Sequence, residues 1–283
     1  MSLLDELQSR VVAADGAMGT ELLAAGAPAG GCLEELCVSD EGCVRAVHAA
    51  YLAAGARILR TNTFGANAVR LARHGHEHRV GEINWTAAQL ARDCAGKDVI
   101  VGGSVGPLGI TEAEALARGI DREAVFLEQI GALIDGGARL IFLETFTALD
   151  ELLIAVHVKH SLHHLPVIAS IACNSEGRLQ DGTMLRDAFT RLRAADADIL
   201  GVNCVGDPTA TLRALEGIDD PGPLAAFPSA GLPVGHRYAL TPAAFATGAH
   251  ALAARGVRLL GGCCGVGPAH IAALTESLMP AHD

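Results

Sequence analysis

Short apolar runs alternate with longer amphipathic stretches along almost the whole chain. The runs carry few polar side chains, which is typical of parallel strands buried on both faces. The stretches between them have helical spacing of apolar residues, as in Glu41–Ala53, Arg122–Asp135 and Pro242–Ala254. The pattern predicts eight strands, at residues 11–14, 57–61, 99–103, 139–144, 167–172, 199–204, 224–227 and 257–262.

Eight repeats of a strand followed by a helix predict an α/β protein with a single (β/α)8 TIM barrel. A doubly wound sheet is the alternative. The length of 283 residues suits one barrel of this kind, which commonly takes about 250 residues. No repeat, low-complexity linker or run of charge marks a boundary, so we expect residues 1–283 to form one domain.

Polar and glycine-rich segments follow the strands at their carboxyl ends. In a barrel these ends all lie on one face, where active sites form. We therefore expect side chains that are far apart in the sequence to share one pocket there. The segments are residues 15–20, 61–64, 103–107, 144–145, 204, 228–231 and 263–264.

Three cysteines stand at two of these strand ends, namely Cys204, Cys263 and Cys264. Three thiolates with one open position are typical of a zinc site that does chemistry. Adjacent side chains of a regular strand point to opposite faces, so Cys263 and Cys264 can share an ion only where the backbone leaves the pleat. The glycines around them permit this. The alternative is that all three are small buried core residues.

The remaining cysteines and the clustered histidines fit a structural interpretation better. Cys32, Cys37, Cys43 and Cys94 lack a known ligand spacing, whereas Cys173 ends the fifth strand and could support the pocket. The histidines at 74, 76 and 78 and at 157, 160 and 164 do not lie at strand ends. We expect these histidines to lie on solvated faces of helices or loops.

Two acids, Asp15 and Glu144, also end predicted strands. Together at one barrel mouth they would suit a substrate ammonium group, although Asp15 could instead cap the following helix. The glycine-rich residues 261–267 have an alternative interpretation as a phosphate cradle, which would indicate an unrelated enzyme with a phosphorylated substrate.

Charge and hydropathy argue against several functional classes. The formal net charge of −11 disfavours nucleic acid and anionic membrane surfaces. No apolar stretch reaches the roughly 20 residues that span a bilayer, and the acidic N-terminus does not resemble a signal peptide. We therefore expect a cytoplasmic protein with reduced cysteines.

Taken together, these segments resemble the homocysteine S-methyltransferase family over residues 10 to 275. That family includes betaine-dependent and S-methylmethionine-dependent enzymes and the homocysteine-binding module of cobalamin-dependent methionine synthase. Five separate motifs match in order: Asp-Gly-Ala-Met-Gly-Thr at 15–20, Thr-Asn-Thr-Phe at 61–64, Glu-Thr at 144–145, Asn-Cys at 203–204 and Gly-Gly-Cys-Cys-Gly at 261–265.

The resemblance implies a methyltransferase that converts homocysteine to methionine. It implies that Zn²⁺ is held by Cys204, Cys263 and Cys264. It further implies that Asp15 and Glu144 hold the homocysteine amino group. The remaining implied substrate contacts are backbone N–H groups around Gly16, Ala17 and Met18 for the carboxylate, with Thr61 and Asn203 lining the pocket or supporting the ligands.

Departures from the family pattern bear on the methyl donor. Betaine-dependent members carry aromatic residues where this chain has Gly65 and Thr145, and quaternary ammonium recognition relies on aromatic cages. The sequence therefore favours a sulfonium donor, S-methylmethionine or S-adenosylmethionine. The chain has no room for cobalamin or folate domains, so the alternative is a methyl-acceptor module that works with a separate corrinoid or folate carrier protein. Water or Ser229 could fill the open zinc position, and the oligomeric state is not indicated.

Overall fold

The computed structural model describes residues 2–220, 222–231 and 238–278. The strands are β1 Val12–Ala13, β2 Ile58–Arg60, β3 Ile100–Val105, β4 Leu140–Phe146, β5 Val167–Ile171, β6 Ile199–Asn203, β7 Leu224–Phe227 and β8 Val257–Leu260. The helices of this part of the chain are α1 Leu3–Ser9, α2 Met18–Ala24, α3 Leu36–Ser39, α4 Glu41–Ala53, α5 Ala68–Leu71, α6 Val80–Ala95, α7 Glu112–Ala117, α8 Arg122–Asp135, α9 Leu149–Leu162, α10 Leu185–Ala194, α11 Pro208–Ala214, α12 Pro242–Ala254 and α13 Pro268–Leu278. None of these helices combines the length and the apolar character that a membrane crossing requires.

The eight strands form one parallel sheet in the order β1-β8-β7-β6-β5-β4-β3-β2. The two ends of this order also meet, because Ala14 forms a parallel bridge with Ile58. Two backbone bonds flank the bridge: Arg57 N–H donates to the Ala13 carbonyl at 2.8 Å, and Asp15 N–H donates to the Ile58 carbonyl at 3.0 Å. The sheet therefore closes on itself. This confirms the predicted (β/α)8 barrel and excludes the doubly wound sheet.

Three helices begin and end where the sequence pattern places them, namely α4, α8 and α12. Each is preceded by a residue whose side chain accepts a hydrogen bond from the first turn: Asp40, Asp121 and Thr241 respectively. Such caps satisfy N–H groups that have no partner inside the helix.

Side chains of successive strand residues alternate between the barrel interior and the surrounding helices. Along β2, Ile58 belongs to the cluster inside the barrel, and Leu59 belongs to the cluster between sheet and helices. Arg60 follows on the interior side, at the carboxyl end of the strand. Leu3 and Leu7 of α1 belong to the same interior cluster. The helix that precedes β1 therefore closes the barrel at the opposite end.

Candidate metal centre

Cys204, Cys263 and Cys264 lie together at the carboxyl end of the barrel. Cys204 directly follows β6, and the other two follow β8. The Cys264 sulfur lies 4.0 Å from each of the other two sulfurs, and the three sulfurs form a group within 4.8 Å. Cys204 and Cys263 are joined as a disulfide, with their Cα atoms 5.8 Å apart. Three sulfurs from two distant segments thus converge.

The backbone leaves the regular strand conformation at both segments. Cys204 has a φ of +55°, in the left-handed region that non-glycine residues seldom adopt. After β8 the chain turns, because Val266 N–H donates to the Cys263 carbonyl at 3.0 Å. A Cβ at Gly262 would overlap the Val266 side chain, so the turn needs glycine there. This turn brings two consecutive cysteines to the same side.

The donor set fits a metal ion. Soft thiolate ligands suit Zn²⁺ and related ions, and zinc–sulfur bonds of about 2.3 Å put tetrahedral sulfurs roughly 3.8 Å apart. Among the residues that the structure describes, the group offers three ligand atoms. The disulfide and the metal exclude each other, because metal binding needs deprotonated, reduced thiols.

The sulfurs form part of the wall of a cavity of about 460 Å³. The predicted metal ligands and substrate contacts all line this cavity, except Asn203, which is fully buried. The lining includes Asp15, Gly16, Ala17, Met18, Thr61, Glu144, Cys204, Cys263 and Cys264, together with Cys32, Glu34, Arg60, Phe64, Arg70, Arg73, His74, Ser104 and Thr145.

Arg60 lies between the two predicted acids. Its Nε donates to Asp15 Oδ1 at 2.7 Å, and its Nη1 donates to Glu144 Oε2 at 2.7 Å. The guanidinium also lies against the rings of Phe142 and Phe227, at 5.3 and 5.0 Å from their centroids. Burial opposes its charge, but the adjacent carboxylates outweigh burial and raise the pKa of Arg60. The two acids therefore come together as predicted, but around a buried cation of the protein.

Arg60 is not among the predicted site residues, although strand alternation carries a signal for it. Ile58 is a buried apolar residue two positions earlier, so residue 60 also points into the barrel. An arginine there needs partners, since buried charges are paired. Asp15 also does not cap α2, whose first turn receives no side-chain cap.

Asn203 connects three strand ends beneath the sulfurs. Its Oδ1 accepts hydrogen bonds from Thr145 N–H at 2.9 Å and from Ser170 Oγ at 2.8 Å. Its Nδ2 donates to Thr145 Oγ1 at 2.6 Å and lies 3.9 Å from the Cys263 sulfur. Thr145 has a φ of +64°, so this amide holds a backbone turn that is otherwise unfavourable.

Two other predicted residues are held by neighbouring segments. Thr61 ties β2 to β3, because its Oγ1 accepts a hydrogen bond from Ser104 N–H at 2.9 Å. Ala17 N–H donates to the Val266 carbonyl at 2.9 Å. This corrects the expectation that the Ala17 N–H binds a substrate carboxylate. The first-turn N–H groups of α2, starting at Met18, have no partner within the helix.

The phosphate interpretation of the glycine-rich segment is not supported. Gly265 N–H donates to Thr20 Oγ1 at 3.3 Å, and Gly267 N–H lies 3.2 Å from His270 Nδ1. A Cβ at Gly267 would lie 2.7 Å from a Glu21 carboxylate oxygen. Engaged N–H groups beside a carboxylate do not form a cradle for an anion.

The other cysteines lie outside the three-sulfur group. Cys37 is fully buried in α3, and burial raises the pKa of its thiol to about 12. Cys173 follows β5, and burial raises the pKa of its thiol to about 11. Ser229, considered for the fourth ligand position, is buried, and its N–H donates to the Gly206 carbonyl at 2.7 Å.

Comparisons of the sequence with known protein families and with individual proteins point to the same family. Residues 12–278 match the model of the homocysteine S-methyltransferase family. Methionine synthase of Mycobacterium tuberculosis is 32% identical over 95% of the chain, and methionine synthase of Mycobacterium leprae is 29% identical over 99% of it. The chain spans about a quarter of the length of these two relatives, since the matches cover 25% of each.

Solved structures agree with this assignment. The homocysteine methyltransferase MmuM from Escherichia coli in its metallated form is 30% identical, with a TM-score of 0.78 over 97% of this chain and 98% of that one. Its oxidized form is 29% identical, with a TM-score of 0.80 over 97% of both chains. Family motif, fold and cysteine group thus agree, and the chain belongs to the homocysteine S-methyltransferase family.

Proposed function

We propose that residues 1–283 act as one barrel that transfers a methyl group to the thiol of homocysteine, giving methionine. The metal would be Zn²⁺, held by Cys204, Cys263 and Cys264. One observation carries the proposal: three sulfurs within 4.8 Å line a cavity at the carboxyl end of the barrel. Because the cluster needs reduced thiols, we also propose a cytoplasmic location.

The chemistry follows from the donor set. Held by Cys204, Cys263 and Cys264, Zn²⁺ would supply the Lewis acidity that favours the thiolate form of the acceptor, which is the nucleophilic form, and the thiol proton would pass to solvent. The acceptor sulfur forms the new bond to the methyl carbon. The bond from that carbon to the donor sulfur breaks, and its electron pair stays on the donor. A sulfonium donor leaves as a neutral thioether.

The shape and charge of the cavity support a sulfonium amino acid as donor. Glu34 and Arg70 lie side by side on its more exposed part, since a Cβ at Gly65 would lie 2.5 Å from Glu34 Oε1 and 3.0 Å from Arg70 Nε. Arg70 also stacks on Phe64, with 4.8 Å to the ring centroid. These opposite charges match the carboxylate and ammonium of S-methylmethionine. An aromatic side chain at residue 65, where betaine-dependent members carry one, would overlap the Glu34 carboxylate.

The second candidate function is a methyl-acceptor module that works with a separate corrinoid or folate carrier protein. The observation that favours it is the match to a quarter of each mycobacterial methionine synthase. The cavity chemistry on this chain would be the same. The two candidates differ in whether the isolated chain turns over with a small donor.

A donor panel on reduced, zinc-loaded protein separates the candidates. Homocysteine is combined in turn with S-methylmethionine, S-adenosylmethionine and betaine, and methionine is measured by mass spectrometry. We expect turnover with a sulfonium donor and none with betaine. Turnover only after addition of a methylated corrinoid or methyltetrahydrofolate with its carrier protein would support the module instead.

A matched pair of cysteine variants tests the metal. Cys264→Ser removes the ligand that stands outside the disulfide, and we expect it to lose most of the bound zinc and the turnover. Cys173→Ser changes a cysteine at the end of β5 and should keep about one zinc per chain. Equal zinc contents in the two variants would contradict the proposed ligand set.

A further inference from the structure

Arg60 fills the space between the two carboxylates of the cavity floor. Four of its five N–H groups are directed at protein oxygens: those of Asp15 and Glu144, and the carbonyls of Gly16 and Gly262, each at 2.7 Å. The side chain is only 8% exposed. Its bonds to the segment after β1, to β4 and to the segment after β8 fix it from three sides.

The four carboxylate oxygens all have donors from the protein. Asp15 Oδ2 accepts from the Arg60 backbone N–H at 2.7 Å, and Glu144 Oε1 accepts from Ser104 Oγ at 2.5 Å. The remaining two oxygens accept from the guanidinium. Two carboxylates and one guanidinium leave a formal charge of −1 at the floor, where the acids alone would give −2. A substrate ammonium would have to compete with a buried cation that already holds these partners.

From these contacts we propose that Arg60 determines the specificity of the acceptor site by taking the position of a substrate ammonium group. This rests on the proposed function, since it concerns the thiol that the metal centre would bind. The site then recognises a thiol through its sulfur and its carbon chain. It binds mercaptocarboxylates without an amino group with about the same affinity as homocysteine. Arg60 does not serve as an anion site itself, because four of its five N–H groups are directed at protein oxygens.

Direct binding measurements on reduced, zinc-loaded protein test this. Isothermal titration calorimetry compares L-homocysteine with 4-mercaptobutanoate, which has the same chain without the amino group. We expect the two dissociation constants to agree within about threefold in the wild-type protein. An amino group held by two unshielded carboxylates would instead give homocysteine an advantage of about tenfold or more.

Variants of Arg60 test whether removing the cation restores a preference for the amino group. Arg60→Leu removes the cation, and we expect the affinity ratio to shift about tenfold in favour of homocysteine. Arg60→Lys keeps the charge and should keep the wild-type ratio. Arg57→Leu removes an exposed charge just before the same strand and should leave the affinity ratio unchanged. The wild-type comparison decides the question even where Arg60→Leu does not fold.

The outcomes separate this inference from the proposed function. Strong preference for homocysteine in the wild-type protein overturns the role of Arg60 and leaves the methyltransferase proposal intact. If a folded Arg60→Leu variant keeps the wild-type ratio of the two dissociation constants, the role of Arg60 is likewise overturned and the methyltransferase proposal stands. Binding of neither thiol to zinc-loaded protein overturns both, and a cobalt-substituted sample shows independently whether sulfur reaches the metal, through its thiolate-to-cobalt absorption.

Discussion

Asn203 shows how one buried amide can order the backbone beside the three sulfurs. It is fully buried and connects Thr145, Ser170 and the neighbourhood of Cys263. Without the amide oxygen, the Thr145 N–H loses its acceptor. We therefore predict that Asn203→Ala lowers the free energy of unfolding by about 1–3 kcal/mol, the usual cost of an unsatisfied buried polar group. Urea denaturation of the reduced protein measures this.

Ser170→Ala is the matched control for Asn203. Ser170 is also fully buried and donates one hydrogen bond to the same amide oxygen. Its loss leaves Thr145 with its acceptor, so the expected cost is only about 0.5–1.5 kcal/mol. The zinc affinity should fall in Asn203→Ala and stay near the wild-type value in Ser170→Ala. Equal effects of the two substitutions would show that the amide does not order the turn.

At the scale of the elements, the two ends of the barrel have separate tasks. The carboxyl ends of the strands hold the sulfurs and the cavity, and α1 closes the other end with Leu3 and Leu7. Leu7 is 1% exposed. We predict that Leu7→Ala lowers the free energy of unfolding by about 2–5 kcal/mol, as for other buried leucines, because it leaves a cavity. Chemical denaturation checks the value.

The zinc content of α1 variants shows whether the helix at the closed end of the barrel affects the three-cysteine group at the other end. Leu7→Ala should bind the same amount of zinc as the wild-type protein below its unfolding transition. Leu4→Ala changes a half-buried residue of the same helix and should cost less stability than Leu7→Ala. A large loss of zinc in folded Leu7→Ala protein would mean that the closed end supports the metal centre.

The elements were largely predictable from the sequence, and the cavity floor was not. Apolar runs indicated all eight strands, because strands covered on both faces must be apolar along their length. The motif residues indicated the three sulfurs, since barrel strand ends share one face. Arg60 was not predicted as a site residue, because its partners from the segment after β1 and from β4 come together only in the closed barrel. The Ala17 N–H was misassigned for the same reason, as its acceptor, Val266, is remote in sequence.

At the scale of the whole molecule, buried ionisable groups control how stability depends on pH. His48 in α4 is fully buried, and neither ring nitrogen has a hydrogen-bond partner among the described residues. Burial, with a smaller effect of Arg45, lowers the pKa of His48 to about 4. The unfolded chain binds this proton near the ordinary histidine value of about 6.5. Between these two values the unfolded state holds a proton that the folded state lacks.

Stability should therefore fall as the pH drops from about 6.5 towards 4, because proton binding favours the unfolded state in this range. The two values correspond to a contribution of about 2 kcal/mol between neutral pH and roughly pH 4.5. We predict that His48→Leu shows a smaller loss of unfolding free energy over this range, by about that amount, in urea denaturation at each pH. His157→Gln changes an exposed histidine of α9 and should keep the wild-type dependence. If His48→Leu and the wild-type protein lose stability equally on acidification, His48 does not cause the acid sensitivity, and other buried groups must do so.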